Sequence, residues 1–84
     1  MNFENTLNNI IRNNLPIIFE NLELKDEMEL INDLNFDSIT LMQLILDIEA
    51  EFNIFFDENT LYEDITNIGL LKSYIKRKIN EKDS

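Results

Sequence analysis

The sequence predicts an all-α fold: a small antiparallel four-helix bundle, three helices long and one short, with a long loop between the first and second. Three observations lead there. Apolar residues recur at three-and-four spacing in three separate stretches. One Gly and one Pro supply few of the turns that an all-β chain needs. Finally, 84 residues make a single domain with a small core, and 44% hydrophobic residues, six of them Phe, are enough to pack it.

The first helix is expected over about 3–15, where Phe3, Leu7, Ile10, Ile11 and Leu15 repeat at helical spacing. Asn5 or Thr6 can cap it if the first residues fray, and Pro16 ends it by disfavouring helix at Leu15. Ile17, Ile18 and Phe19 then open a connection that reaches Asp37. A link of this length is functional or carries its own short helix. Leu22, Leu24, Met28, Leu30, Ile31 and Leu34 are spread through it, which implies a loop pinned across the core.

The stretch 33–52 reads as a polar turn feeding the second helix. Leu41, Leu44, Ile45, Ile48 and Phe52 form its buried face. At about 100° per residue, Ile39, Met42 and Leu46 fall on a second strip, with Ser38 and Glu49 between the two. A small domain buries one strip in its own core, and the other is left for something else. Asn35 and Asn53 flank this helix and suit left-handed backbone, where Gly would be easiest.

Ile54-Phe55-Phe56 crosses back over the core. Asp57 is expected to cap a short third helix over 58–64, and Thr66 a last helix to Ile79 with Ile68, Leu71, Ile75 and Ile79 inward and Tyr74 beside them. The domain core is therefore 3–79, and 80–84 is expected to fray. The aromatic residues serve this core and its loops before any ligand.

Seventeen acids against seven bases give a net charge of −10, and no basic residue stands between Lys25 and Lys72. That distribution argues against nucleic acid and against an anionic membrane surface, both of which require clustered Lys and Arg. It favours encounter with basic protein surfaces and also keeps the chain dissolved. No stretch approaches the ~20 apolar residues of a membrane span, and no signal sequence opens the chain, so a cytoplasmic monomer is the expectation.

With no Cys and no His, thiolate chemistry, the usual general base and the commonest metal ligand are excluded. Asp57-x-Asn59 opens like a calcium loop, but Leu61 and Tyr62 stand where a ligand and the turning Gly belong, so no metal site is expected. Ser38 remains. Alone it reads as a helix cap. Asp37 can cap instead, which leaves the Ser38 hydroxyl projecting at the positive end of a helix dipole, a favourable place for an attached anion.

Asp33-Leu34-Asn35-Phe36-Asp37-Ser38-Ile39 resembles the Asp-Leu-Gly-x-Asp-Ser-Leu signature of acyl carrier proteins. Glu49-Ala50-Glu51-Phe52-Asn53-Ile54 is similar to that family's Glu-Glu-Glu-Phe-Gly-Ile, and the likeness extends to the helix start at Thr66 and to Tyr74-Ile75. It covers roughly 3–79.

The resemblance implies a carrier rather than an enzyme. Ser38 would receive 4′-phosphopantetheine from coenzyme A through a separate, magnesium-dependent phosphopantetheinyl transferase, with Asp37 its neighbour in the motif. The arm's thiol would hold an acyl, aminoacyl or polyketide group as a thioester. A loading ligase or transferase would charge it, and synthase, condensation or tailoring enzymes would use it. Ile39, Met42, Leu46 and Glu49 would be the docking residues. Thr40, Gln43 and Ala50 stand where carriers of fatty-acid synthesis often have Asp or Glu, which points to a specialised or secondary pathway. The competing reading is an acidic helical adaptor or inhibitor that binds a basic surface without any arm.

Overall fold

The computed structural model describes residues 2–83. It contains three α-helices, α1 (Phe3–Asn13), α2 (Ser38–Phe52) and α3 (Ile68–Asp83), and two single 3-10 turns at Ile17–Phe19 and Tyr62–Ile65. Among the described residues there is no strand, only an isolated antiparallel bridge between Glu29 and Asn67. The all-helical bundle is as expected. The short helix expected over 58–64 is not an α-helix but the second of these turns, Tyr62–Ile65.

α1 starts at Phe3 as expected, and Asn2 caps it instead of Asn5 or Thr6. Asn2 is extended, and its Oδ1 accepts from the Asn5 amide at 3.1 Å. Thr6 instead donates its hydroxyl proton to the Asn2 carbonyl. The helix stops at Asn13, before Leu15, because the Asn14 side chain donates to the Ile10 carbonyl at 3.0 Å and Pro16 follows in extended geometry. Phe3 lies 5.3 Å from Phe52, while Asn14 bonds Asp47. The start of α1 thus faces the end of α2, and the two run antiparallel.

The long connection is pinned as expected, except at Ile31, which is exposed. Leu30, Leu34 and Phe36 are buried, and Leu22, Leu24 and Met28 pack against the core. Its backbone is also stitched to the entry of α3, by Leu30 N–H to Thr66 O (2.9 Å), Ile68 N–H to Met28 O (3.0 Å) and Gly69 N–H to Asp26 O (2.8 Å). A Cβ on Gly69 would meet the Asp26 carbonyl at 3.3 Å, so the missing side chain is what permits this approach. Tyr62 adds a side-chain clamp, accepting from the Ile31 amide and donating to the Thr66 carbonyl.

Asp57 does not cap a helix, because its carboxylate is drawn away to Lys78 Nζ at 2.7 Å. The turn Tyr62–Ile65 is held by Asp64, which accepts from the Leu61 amide. Asn67, not Thr66, caps α3 by accepting from the Leu70 amide at 2.8 Å, while the Thr66 hydroxyl turns back to the Tyr62 carbonyl. α3 also outlasts the expected end at Ile79 and runs to Asp83. Glu81 pairs with Arg77 and Lys78 across this last stretch, so charge pairs extend the helix where apolar residues end. The rest of the tail expected to fray, Ser84, lies outside the described residues.

Leu7, Ile11, Leu44, Ile48, Ile68, Leu71 and Ile75 fill the centre of the bundle, joined by Leu30 and Leu34 from the connection. Among the described residues no polar or charged residue is fully buried. Ile79, expected inward, is half-buried against this core.

Candidate functional site

The site is built from the last turn of the connection and the first turn of α2. Asp33 Oδ2 accepts from the Glu29 amide at 2.7 Å and closes the turn that enters the motif. Leu34 is fully buried. Asn35 takes left-handed backbone, φ 60°, as its likeness to Gly in this place anticipates. That reversal lets Phe36 drop into the core, where its amide donates to the Leu30 carbonyl at 3.0 Å. Asp37 is extended and caps α2, its Oδ1 accepting from the Thr40 amide at 2.7 Å.

Ser38 comes next, as the first residue of α2. It is exposed, and no side-chain partner engages its hydroxyl among the described residues. The five residues before it in the motif each have an internal task, and Ser38 has none.

The Thr40 amide, and after it the Thr40 hydroxyl, hold the Asp37 carboxyl below the usual carboxylate range. Asp37 is therefore a fixed anion and a poor proton acceptor. With no His in the chain, nothing here activates the Ser38 hydroxyl as a nucleophile. A phosphodiester on Ser38 Oγ fits the place: it would lie at the N-terminal end of a 15-residue helix whose first turn contains no acidic residue.

The second strip of α2 is where the sequence places it. Ile39, Met42 and Leu46 are 80%, 64% and 52% exposed, while Leu44 and Ile48 on the opposite face are fully buried. Ser38 and this strip therefore share one solvent face.

Glu49 is different. It is half-buried, and its Oε2 accepts from the Phe56 amide at 2.8 Å, so it holds the loop after α2. Asp47 is likewise half-buried and accepts from both Asn14 and Gln43. Sequence reasoning did not find these internal roles, nor that of Tyr74, whose hydroxyl accepts from the Asp57 amide and pairs with Thr60. The sequence places the Tyr74 ring beside the core, and Tyr74-Ile75 matches the family pattern, but neither points to a task for its hydroxyl. For Glu49 the signal is absent, because its partner is a main-chain amide in an irregular loop.

Asn53 ends α2 in left-handed geometry, φ 54°, with its own amide reaching the Glu49 carbonyl. Among the described residues no helix is long and apolar enough to cross a membrane, and no cluster of three or more Asp, Glu, His or Cys could hold a metal ion.

A family model described as the phosphopantetheine attachment site matches residues 5–75. An acyl carrier protein of Thermotoga maritima is 39% identical over 57 residues, which cover 68% of this chain and 69% of that protein. The exposed serine on a capped helix and these two likenesses agree: the chain belongs to the acyl carrier protein family, whose prosthetic group is a covalently attached 4′-phosphopantetheine.

Proposed function

We propose that Ser38 is the attachment point and that the chain carries acyl, aminoacyl or polyketide intermediates between partner enzymes. One observation supports the assignment above the others. Asp33, Leu34, Asn35, Phe36 and Asp37 each hold the local fold, and Ser38 alone offers an unengaged hydroxyl. When bound, the arm supplies a thiol that holds the cargo as a thioester.

The chain's own residues position rather than react. Asp37 fixes the start of α2 and so fixes where the Ser38 hydroxyl points. Ile39, Met42 and Leu46 offer the surface on which a phosphopantetheinyl transferase, a loading enzyme and downstream synthase, condensation or tailoring enzymes can dock. Glu49 stands beside that surface and supports it from within. No turnover is expected of the chain itself, which works as a monomer in the cytoplasm. The scarcity of charge on this face favours a dedicated carrier of a specialised pathway over a fatty-acid housekeeping role.

Intact-mass analysis after co-expression with a broad-specificity phosphopantetheinyl transferase tests the reading. One arm should be added, and Ser38→Ala should abolish the addition. An unmodified product, under conditions that convert another carrier, would favour an acidic adaptor that binds its partner without an arm.

A further inference from the structure

The turn that leads into Ser38 does not stand alone. Residues 29–36 close on themselves: the Asp33 and Leu34 amides donate to the Glu29 carbonyl, the Glu29 amide to Asp33 Oδ2, and the Phe36 amide to the Leu30 carbonyl. The base of this turn is 29–31, and its next two amides point outward. Leu30 N–H donates to the Thr66 carbonyl at 2.9 Å, and Ile31 N–H donates to the Tyr62 hydroxyl at 3.2 Å. The Tyr62 hydroxyl donates in its turn to the same Thr66 carbonyl at 3.3 Å. Thr66 Oγ1 donates back to the Tyr62 carbonyl at 3.2 Å, so 62–66 is itself a closed unit. Among the described residues, the Tyr62 hydroxyl makes the only side-chain hydrogen bond that joins the two units.

Resting on the reading of Ser38 as the attachment point, we propose that Tyr62 is a positioning residue: its hydroxyl fixes the base of the 29–36 turn against the entry of α3 and so fixes where the Ser38 hydroxyl points. The path runs from Ile31 and Leu30 to the Phe36 amide, and from there to the Asp37 cap on the Thr40 amide. Ile31 is exposed, so water can take its amide once the phenol is gone, and the fold loses little. The tether is not replaced. Asn35 sits within the turn at φ 60°, a conformation that persists only while its surroundings over-determine it. Freed at its base, the turn relaxes there and carries the cap with it.

Tyr74 supplies a matched comparison. Its hydroxyl also accepts a loop amide, from Asp57 at 2.9 Å, but the residue is buried, so Tyr74→Phe should cost more stability than Tyr62→Phe. Its bonds go to Asp57 and Thr60, not to the turn before Ser38. Both substitutions keep the ring and remove one oxygen.

The test gives the full chain to a broad-specificity phosphopantetheinyl transferase with coenzyme A. In the transfer, Ser38 Oγ bonds to the phosphorus that bears the pantetheine, and the bond from that phosphorus to the bridging pyrophosphate oxygen breaks. The nucleotide part of coenzyme A leaves with that oxygen, and the hydroxyl proton passes to the transferase or to water. Arm addition is followed by mass at a temperature where circular dichroism shows each variant folded. Tyr62→Phe should lower kcat at least about threefold, with KM within about twofold because 33–52 is unchanged in sequence. Tyr74→Phe should keep the parent kcat despite its larger loss of stability in urea. Amide hydrogen exchange reads the same coupling with no transferase present. Exchange at Phe36, taken relative to Ile48 in the core of α2, should rise at least about threefold in Tyr62→Phe and should not rise in Tyr74→Phe.

A parent kcat in Tyr62→Phe, or an equal fall in Tyr74→Phe, overturns the proposal, and so does a Phe36 ratio that stays put. A higher KM with kcat unchanged also overturns it, since Tyr62 would then touch the transferase instead of aiming the serine. If the parent chain takes no arm, the attachment reading has failed, and the exchange ratio alone decides whether Tyr62 holds the turn.

Discussion

The Glu49 carboxylate accepts the Phe56 amide proton at 2.8 Å, seven residues further along the chain. This bond ties the last turns of α2 to the loop that crosses under α3, and it works beside a second one, from the Asp57 amide to the buried Tyr74 hydroxyl at 2.9 Å. Phe56 itself stacks 4.8 Å from the Tyr74 ring. Two consecutive main-chain amides of the loop thus end on side chains of different helices. An acid that reads as surface charge is a structural strut.

Glu49→Ala should therefore destabilise the fold by about 1–3 kcal/mol, the cost of leaving a part-buried amide without its charged acceptor. Glu49→Gln keeps an acceptor oxygen and should lose less than half of that. Urea unfolding followed by circular dichroism reads both. Equal losses for Ala and Gln would mean that the charge, not the hydrogen bond, is what matters.

Asp37 and Ser38 are neighbours with opposite duties, and substitution should separate them. Asp37→Ala removes the cap that satisfies the Thr40 amide and should cost about 1 kcal/mol. Ser38→Ala removes an exposed, unengaged hydroxyl and should stay within about 0.5 kcal/mol of the parent. Chemical denaturation of the two unmodified variants compares them directly. If Ser38→Ala proves the more damaging, the cap has been assigned to the wrong residue.

These two residues also show how far the sequence could be read. Their roles follow from residue type and position, because a helix start needs an oxygen and Asp37 and Ser38 are the two candidates. The three long helices were legible for a similar reason, since apolar periodicity records which face is buried. What was not legible depends on choices among equivalent polar groups. Thr66 and Asn67 can both cap α3, and Asn67 does so because the Thr66 hydroxyl is taken by the Tyr62 carbonyl. Asp57 could cap a short helix, but Lys78 claims it from 21 residues away. The end of α3 was hidden because no apolar residue follows Ile79, and the helix continues on charge pairs to Glu81. Long-range polar pairing leaves no periodic trace.

The Asp57–Lys78 pair makes stability depend on pH in a defined way. The hydrogen bond from Lys78 holds the Asp57 carboxyl below its ordinary range, and the bond to Asp57 raises Lys78 above its own. A lowered carboxyl contributes stability that is complete above the unfolded value of about 3.9 and is lost as pH falls through the folded one. A raised ammonium contributes stability that is complete below about 10.4 and is lost as pH rises through its folded value. The advantage of the parent over Asp57→Asn should therefore be flat between these limits and shrink beyond both. Comparing the two proteins cancels the general self-repulsion of the acidic chain. Asp57 is exposed and Lys78 half-buried, so solvent still screens the pair and the advantage should be modest and should fall with salt. Thermal melts of the pair from about pH 3 to about pH 11 give the profile, and an advantage that grows on acidification contradicts it.

Asn35 and Asn53 occupy left-handed backbone at φ 60° and 54°, one on each side of α2. A residue with a Cβ pays about 1–2 kcal/mol in that region, and Asn is eased there by its short polar side chain. Gly at either place should be tolerated and is expected to be neutral or mildly stabilising, since it removes the steric cost while adding chain entropy to the unfolded state. Ala should cost about 1 kcal/mol at both. The two sites should then part in their effect on function. Asn53 only ends the helix, so Asn53→Ala should lower stability and leave modification of Ser38 intact in the folded fraction. Asn35 reverses the chain just before Phe36 enters the core and Asp37 reaches the Thr40 amide, so strain there is relieved by shifting the cap and, with it, the Ser38 hydroxyl. Asn35→Ala should slow addition of the arm several-fold more than Asn53→Ala at equal loss of stability, and Asn35→Gly should restore the parent rate. Rates measured by mass at a temperature where both variants are folded decide it. Equal rates for the two Ala variants would show that the turn before Ser38 stabilises the fold without aiming the hydroxyl.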